Sequence, residues 1–264
     1  MEPVLSIEDL LVRARGRLQP VLGGVSLGVA PGEVLGLVGE SGSGKSTLAR
    51  SILRLEAPLS IEGGTIGFGG EDLVAASGRH LRALRGRRIG LVPQDPLGAF
   101  DPLFTVGSQV RAFVAAHRDA IASAARVAPN AALDATFRRI EAFGLPDPEL
   151  AGRERPSAFS RGMLQRVLFA LATATAPDLL VLDEPTAALD APVADRLIAD
   201  LARLAKTAGT GTILITHDLS LAALAADRIL VLKDGAVVET ASTAQFVARP
   251  DSDYARRLVA SGAW

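Results

Sequence analysis

Gly39-Glu40-Ser41-Gly42-Ser43-Gly44-Lys45-Ser46-Thr47 fits the pattern G-x-x-x-x-G-K-[ST]. Before it, Val34-Leu35-Gly36-Leu37-Val38 is a short apolar run that reads as a buried strand. After it, Thr47-Leu48-Ala49-Arg50-Ser51-Ile52-Leu53 has helical spacing. Strand, glycine loop and helix form the context the pattern needs. Gly42 and Gly44 let the backbone come close to a ligand, so the loop amides make an anion nest at a helix N-terminus. In this reading Gly39, Ser41, Gly42, Ser43, Gly44, Lys45, Ser46 and Thr47 cradle a nucleotide's phosphates. Lys45 reaches the β- and γ-phosphates, and the Ser46 hydroxyl ligates Mg²⁺. The alternative is a glycine-rich turn that matches by chance, and the flanking strand and helix weigh against it.

Composition narrows the class. A chain of 264 residues, 48% of them hydrophobic, has room for one large domain or two modest ones. A net charge of −1 argues against a mainly electrostatic nucleic-acid binder. With no cysteine, disulfides, thiolate metal sites, cysteine nucleophiles and iron–sulfur clusters are excluded together. Met1-Glu2-Pro3-Val4 opens no secretory pattern. The most apolar stretches, 167–176 and 219–226, are too short to span a bilayer, so a membrane role requires a partner.

Along the chain, residues 4–12 and 21–29 read as strands, with Pro31-Gly32 turning into the phosphate-loop strand. Residues 62–70 are glycine-rich and read as a short hairpin. The basic run 79–88 is either a nucleic-acid patch or a solvated helix face over Leu81 and Leu84; its brevity and lack of aromatics favour the second. Residues 89–93, 179–184 and 212–216 are further buried strands. Residues 106–176 are helical and alanine-rich, broken at Pro129-Asn130, 144–148 and 152–156. Residues 229–238 read as a hairpin around Asp234-Gly235. The expected fold is α/β: a P-loop NTPase (RecA-like) core with a parallel sheet, a small antiparallel β subdomain and an inserted α-helical subdomain. The expected division is 1–93 for the nucleotide core with the antiparallel sheet, 94–176 for the helical insertion, and 177–264 for the rest of the core and the tail.

Four buried strands each end on a polar group: the phosphate loop, Gln94, Asp183-Glu184 and His217. Asp183 after an apolar run suits Mg²⁺, directly or through water, beside Ser46. Glu184 suits a general base for an attacking water. The bland reading of the acidic pair is a solvated strand end. Gln94 can ligate Mg²⁺ or orient water through its amide. A lone histidine is more often a satisfied core residue, but His217 at a strand end, in Thr216-His217-Asp218, is placed to touch the γ-phosphate and the water-activating group. His80 and His117 have no such context.

Together these residues resemble the ATPase subunit of ATP-binding cassette (ABC) transporters, over nearly the whole chain. The likeness adds Gln94-Asp95-Pro96 (Q-loop), Phe159-Ser160-Arg161-Gly162-Met163 (signature), 179–184 (Walker B), Ala188-Leu189-Asp190 (D-loop) and Thr216-His217-Asp218 (switch histidine). The resemblance implies a head-to-tail homo- or heterodimer of ATPase subunits. In it, Ser160 and the Gly162 amide face ATP held by the partner, and Asp190 lies at the interface. It also implies two transmembrane permease subunits, an external solute-binding protein, no nucleic acid, and a peripheral place on the cytoplasmic face of the membrane.

Gly162-Met163-Leu164-Gln165-Arg166, residues 94–102 and residues 250–258 are similar to the peptide/nickel importer branch. The implied task is uptake of peptides, nickel or metal chelates, with length and the lack of cysteine leaning toward the nickel or metallophore members. Three departures stand out. Arg161 replaces the usual signature glycine, which implies unequal ATP sites. No aromatic precedes Phe68, so the adenine-stacking ring expected near Gly16 is missing and Arg13, Arg15 or Arg17 is left to stack instead. Asp101 replaces an asparagine. Phe100 and Phe104 suit either a permease groove or the helical core. Competing readings are a soluble ABC-type ATPase acting on nucleic acid or translation, a subunit for another cargo, and a kinase or GTPase. The last leaves the signature, D-loop and His217 unexplained.

Overall fold

The computed structural model describes residues 2–16, 18–55, 59–145, 152–187 and 189–260. Strands β1 (Leu5–Ala14) and β2 (Leu22–Val29) open a four-stranded antiparallel sheet completed by β4 (Leu59–Phe68) and β5 (Glu71–Asp72), in the order β2-β1-β4-β5. The second sheet has six strands: β3 (Val34–Val38), β6 (Ile89–Val92), β7 (Leu179–Asp183), β8 (Gly211–Ile215), β9 (Arg228–Lys233) and β10 (Ala236–Ser242). Their order is β10-β9-β3-β8-β7-β6, and every pairing is parallel except β9 with β10.

Every residue of β3, β7 and β8 is buried, because parallel strands carry cover on both faces. Period-2 alternation divides that cover. Leu35, Leu37, Leu179, Val181, Ile213 and Ile215 face the antiparallel sheet and helix α1 (Lys45–Ile52). Val34, Val38, Leu180, Leu182 and Leu214 face the opposite way. There they meet α6 (Ala191–Ala208), α7 (Leu219–Ala225), α8 (Thr243–Ala248) and α9 (Asp253–Ala260).

Between β6 and β7, helices α3 (Val106–Ala125), α4 (Ala132–Ala142) and α5 (Arg161–Ala174) build a separate core around Val110, Val114, Ile121, Ile140, Leu164 and Val167. Thr105 caps α3 by accepting from the Ser108 amide. Phe100 belongs to this core at 6% exposure, whereas Phe104 is 58% exposed. The two aromatics therefore have different roles. Of the expected breaks, residues 146–148 lie outside the described residues.

The basic run is mostly α2 (Gly78–Leu84), with Leu81 and Leu84 buried. Arg85 donates to the Leu53 and Arg54 carbonyls, and Arg88 pairs with Asp178, so these two arginines are tied into the fold. One expectation is corrected. Residues 62–70 are not a self-contained hairpin, because β4 runs for ten residues and pairs with β1. Gly64 sits against a bulge in β1 where Asp9 has φ 47°, and a Cβ there would lie 2.5 Å from the Glu8 and Asp9 carbonyl oxygens. That glycine answers the neighbouring strand, and the turn falls at Gly69-Gly70.

Candidate active site

The strand order makes β3, β8, β7 and β6 neighbours, so their carboxyl ends lie along one edge. A cleft of about 810 Å³ opens there. Ser41, Gly42, Gly44, Lys45, Ser46 and Thr47 form one wall, and Gln94, Glu184 and His217 reach it from β6, β7 and β8. The lining is completed by Ala14, Arg15, Val21 and Leu59, at the ends of the antiparallel strands β1, β2 and β4.

The phosphate loop is tightly held. Gly39 has φ 154°, and a Cβ built on it would lie 2.1 Å from the Leu232 carbonyl oxygen, so the loop starts directly on β9. Gly44 is the N-cap of α1, whose first-turn amides therefore face the cleft end of the helix. Lys45 is buried, and its Nζ donates to the Gly39 and Glu40 carbonyls at 2.8 Å each. Burial lowers its pKa, opposed by the Glu184, Asp183 and Glu40 carboxylates.

The Ser46 Oγ donates to Asp183 Oδ1 at 3.1 Å. Burial raises the Asp183 pKa; the Ser46 hydrogen bond opposes this, and the Glu184 charge adds to it. Ser46, Asp183 and Gln94 offer an all-oxygen donor set, which fits a hard cation such as Mg²⁺.

Glu184 has φ 47°, a conformation that costs a non-glycine residue about 1–3 kcal/mol. Its amide donates to the Ile215 carbonyl at 2.9 Å, which holds the strained turn against β8. The result is a Glu184 Oε2 to His217 Nδ1 contact of 2.8 Å. The glutamate side chain is 11% exposed and the histidine 73% exposed, so His217 presents its free edge to the cleft. Asp218, next to it, is a helix cap: it accepts from the Ser220 and Leu221 amides of α7.

Ser160, Gly162 and Asp190 do not line this cleft. Ser160 caps α5 by accepting from the Met163 amide at 3.1 Å, which leaves its own hydroxyl proton available. Gly162 lies in the first turn of α5, where amides have no intrahelical acceptor. Asp190 is the N-cap of α6, and Ala188, two residues before it, lies outside the described residues. Of the three arginines left to stack a base, Arg13 is bound to Glu62 and to the Leu18 carbonyl, Arg15 lines the cleft, and Arg17 lies outside the described residues. Ala14, Val21 and Leu59 carry no chemical signal, and sequence reasoning had no means of finding them.

The family model described as ABC transporter matches residues 22–187. The chain belongs to the ABC transporter family. A probable peptide ABC transporter ATP-binding protein of Sinorhizobium fredii is 37% identical over 262 residues, covering 98% of this chain and 76% of that protein. An oligopeptide transport ATP-binding protein of Lactococcus lactis is 36% identical over 264 residues, with the same two coverages. A dimeric ATP-binding cassette, solved in a post-hydrolysis state bound to ADP and Pi, superposes with a TM-score of 0.77 at 25% identity. It covers 90% of this chain and 98% of that one. The fold is that of a P-loop NTPase, and this member of the ABC transporter family is an ATP-binding, ATP-hydrolysing transport subunit.

Proposed function

We propose that this ABC ATPase energises uptake of peptides, with nickel or metal-chelate complexes as the alternative cargo of the same branch. The cargo reading is supported by the peptide and oligopeptide names of its relatives. The subunit works as one half of a head-to-tail ATPase pair on two permease subunits, at the cytoplasmic face of the membrane, with an external solute-binding protein delivering cargo. Among the described residues no helix is long and apolar enough to cross a membrane, which agrees with a peripheral role. Leu97, Leu103 and Phe104, which follow Gln94 in the chain, are exposed apolar residues suited to contact a permease.

The observation that carries the mechanism is the convergence of four strand ends on one cleft. The amides of the phosphate loop hold the nucleotide's phosphates, with Gly39, Ser41, Gly42, Ser43, Gly44 and Thr47 shaping the nest. Lys45 exchanges its two carbonyl partners for the β- and γ-phosphates. Ser46, Asp183 and Gln94 would hold Mg²⁺, which would neutralise developing phosphate charge when bound. Glu184 accepts a proton from the attacking water, and His217, bonded to it, steadies that carboxylate and contacts the γ-phosphate. Ser160, Gly162 and Asp190 serve the ATP site completed by the partner subunit, where the α5 N-terminus adds favourable potential.

Glu184→Gln should retain ATP binding and lose turnover, and sustained hydrolysis by that variant refutes the base assignment. Reconstitution with the copurifying permeases, followed by titration of peptides and metal chelates against ATPase rate, assigns the cargo. Stimulation by neither class removes the importer reading.

A further inference from the structure

The tail stretch 250–258, singled out in the sequence, has no part in the mechanism above. Its second helix residue does touch the phosphate loop: the Glu40 amide donates to the Tyr254 hydroxyl oxygen at 3.2 Å. We propose that Tyr254 is a positioning residue for nucleotide binding, through which α9 braces the outer rim of the phosphate loop.

The backbone groups of the loop divide into two sets. The Gly39 and Glu40 carbonyls are held by Lys45 Nζ, and the Glu40 carbonyl also accepts from the Ser43 amide at 3.2 Å. The Glu40 amide and the Ser43 carbonyl point outward. The first is held by Tyr254, and the second accepts from the Gly235 amide at 2.9 Å. When Lys45 turns to the phosphates, its two ties go, and the Ser43–Glu40 bond within the loop and the two outer ties remain. The brace therefore counts most in the nucleotide-bound state. This inference rests on the phosphate-loop reading of Lys45.

Both outer ties come from one structural unit. Gly235 is in the turn between β9 and β10. Glu239 on β10 accepts from the Asp251 amide at 2.9 Å, the Ser252 amide at 2.8 Å and the Ser252 hydroxyl at 2.7 Å. Ser252 Oγ in turn accepts from the Ala255 amide at 3.1 Å, starting α9. Tyr254 is 7% exposed and Ala255 fully buried, which fixes the helix rotation that aims the phenol at Glu40. Lys233 Nζ lies 5.1 Å over the Tyr254 ring and packs on it, and burial raises the phenol's pKa, so the group is a neutral hydroxyl whose oxygen accepts from the Glu40 amide.

The test is Tyr254→Phe in the full chain, which keeps the ring and removes one oxygen. One net hydrogen bond corresponds to about three- to tenfold in affinity. ATP affinity by calorimetry and KM in steady-state turnover should weaken by up to that factor, with kcat near wild type and the nucleotide-free Tm lowered less than the Tm with ATP bound. Glu239→Gln, remote from the cleft, should weaken ATP binding in the same direction. The double variant should then be no weaker than the worse single, because both act on one contact. Unchanged ATP affinity in both variants, or an equal fall in Tm with and without ATP, overturns the proposal. Failure of wild-type protein to bind ATP would instead overturn the phosphate-loop reading itself.

Discussion

Gly39→Ala probes how rigidly the phosphate loop is seated. The added Cβ would sit 2.1 Å from the Leu232 carbonyl oxygen, inside the roughly 3.3 Å closest approach of carbon to carbonyl oxygen. That oxygen is backbone in β9, paired across to β10, and cannot rotate away. The loop must therefore shift by about 1.2 Å, and a misplacement of about 1 Å costs on the order of 10²-fold in rate. The φ of 154° adds strain on the order of 1–3 kcal/mol for any side chain. A control separates the two effects. Gly70 in the β4–β5 turn also has positive φ, 84°, but a Cβ there meets nothing within 4 Å. Gly70→Ala should lower Tm by about 2–4 °C per kcal/mol of strain and leave hydrolysis untouched. Gly39→Ala should lower kcat/KM for ATP about 100-fold, read by steady-state phosphate release, and lower Tm further than the control. A Gly39→Ala enzyme within threefold of wild type, melting no lower than Gly70→Ala, refutes the claim that β9 fixes the loop.

Three more predictions follow from the same geometry. Arg161→Gly should change ATPase rate or ATP affinity of the assembled complex if, as proposed, the start of α5 faces the partner's ATP, because the guanidinium there is exposed; an unchanged rate and affinity rejects the unequal-sites reading. Arg15→Ala should raise the KM for ATP by about tenfold, near the stacking worth of 1–3 kcal/mol, whereas Arg13→Ala, which frees Glu62, should lower Tm and spare KM; the reverse pattern removes Arg15 from the base site. Burial works against the Glu239 carboxylate, but hydrogen bonds from Asp251 and Ser252, with Arg256 nearby, hold its pKa below the ordinary 4.5. A lowered folded-state pKa gives stability that is present above about 4.5 and lost as pH falls through the folded value. Wild-type Tm should therefore fall more steeply in acid than that of Glu239→Gln, and parallel acid profiles reject the anchor.

The phosphate loop, Gln94, Asp183, Glu184 and His217 were legible because each follows an apolar run long enough to read as a buried strand. What the sequence could not show is that those strands are neighbours, since β3 pairs with β8 and β9 from the far end of the chain. The part of the lining from the antiparallel sheet was illegible for a different reason: Ala14, Val21 and Leu59 are ordinary aliphatic residues that matter only by position. The glycines at 62–70 misled because a bulge in a partner strand and a turn ask for the same residue. Phe100 and Phe104, alike in sequence, were separated only by burial. The lean toward nickel rested on length and the lack of cysteine, whereas the relatives described here carry peptide names.

The strand order also governs how the chain reaches its working shape. Val34 pairs with Thr212 and Leu35 with Arg228, so the strand that launches the phosphate loop finds its partners only after most of the chain has been made. Non-local parallel pairing brings its entropy cost before its reward, which slows folding. Until β8 and β9 arrive, Leu35, Leu37 and Val38 form an exposed apolar edge, a template for the wrong neighbour. The phosphate loop is seated on Leu232 of β9, so nucleotide that binds the completed loop draws the population away from those sticky precursors by mass action.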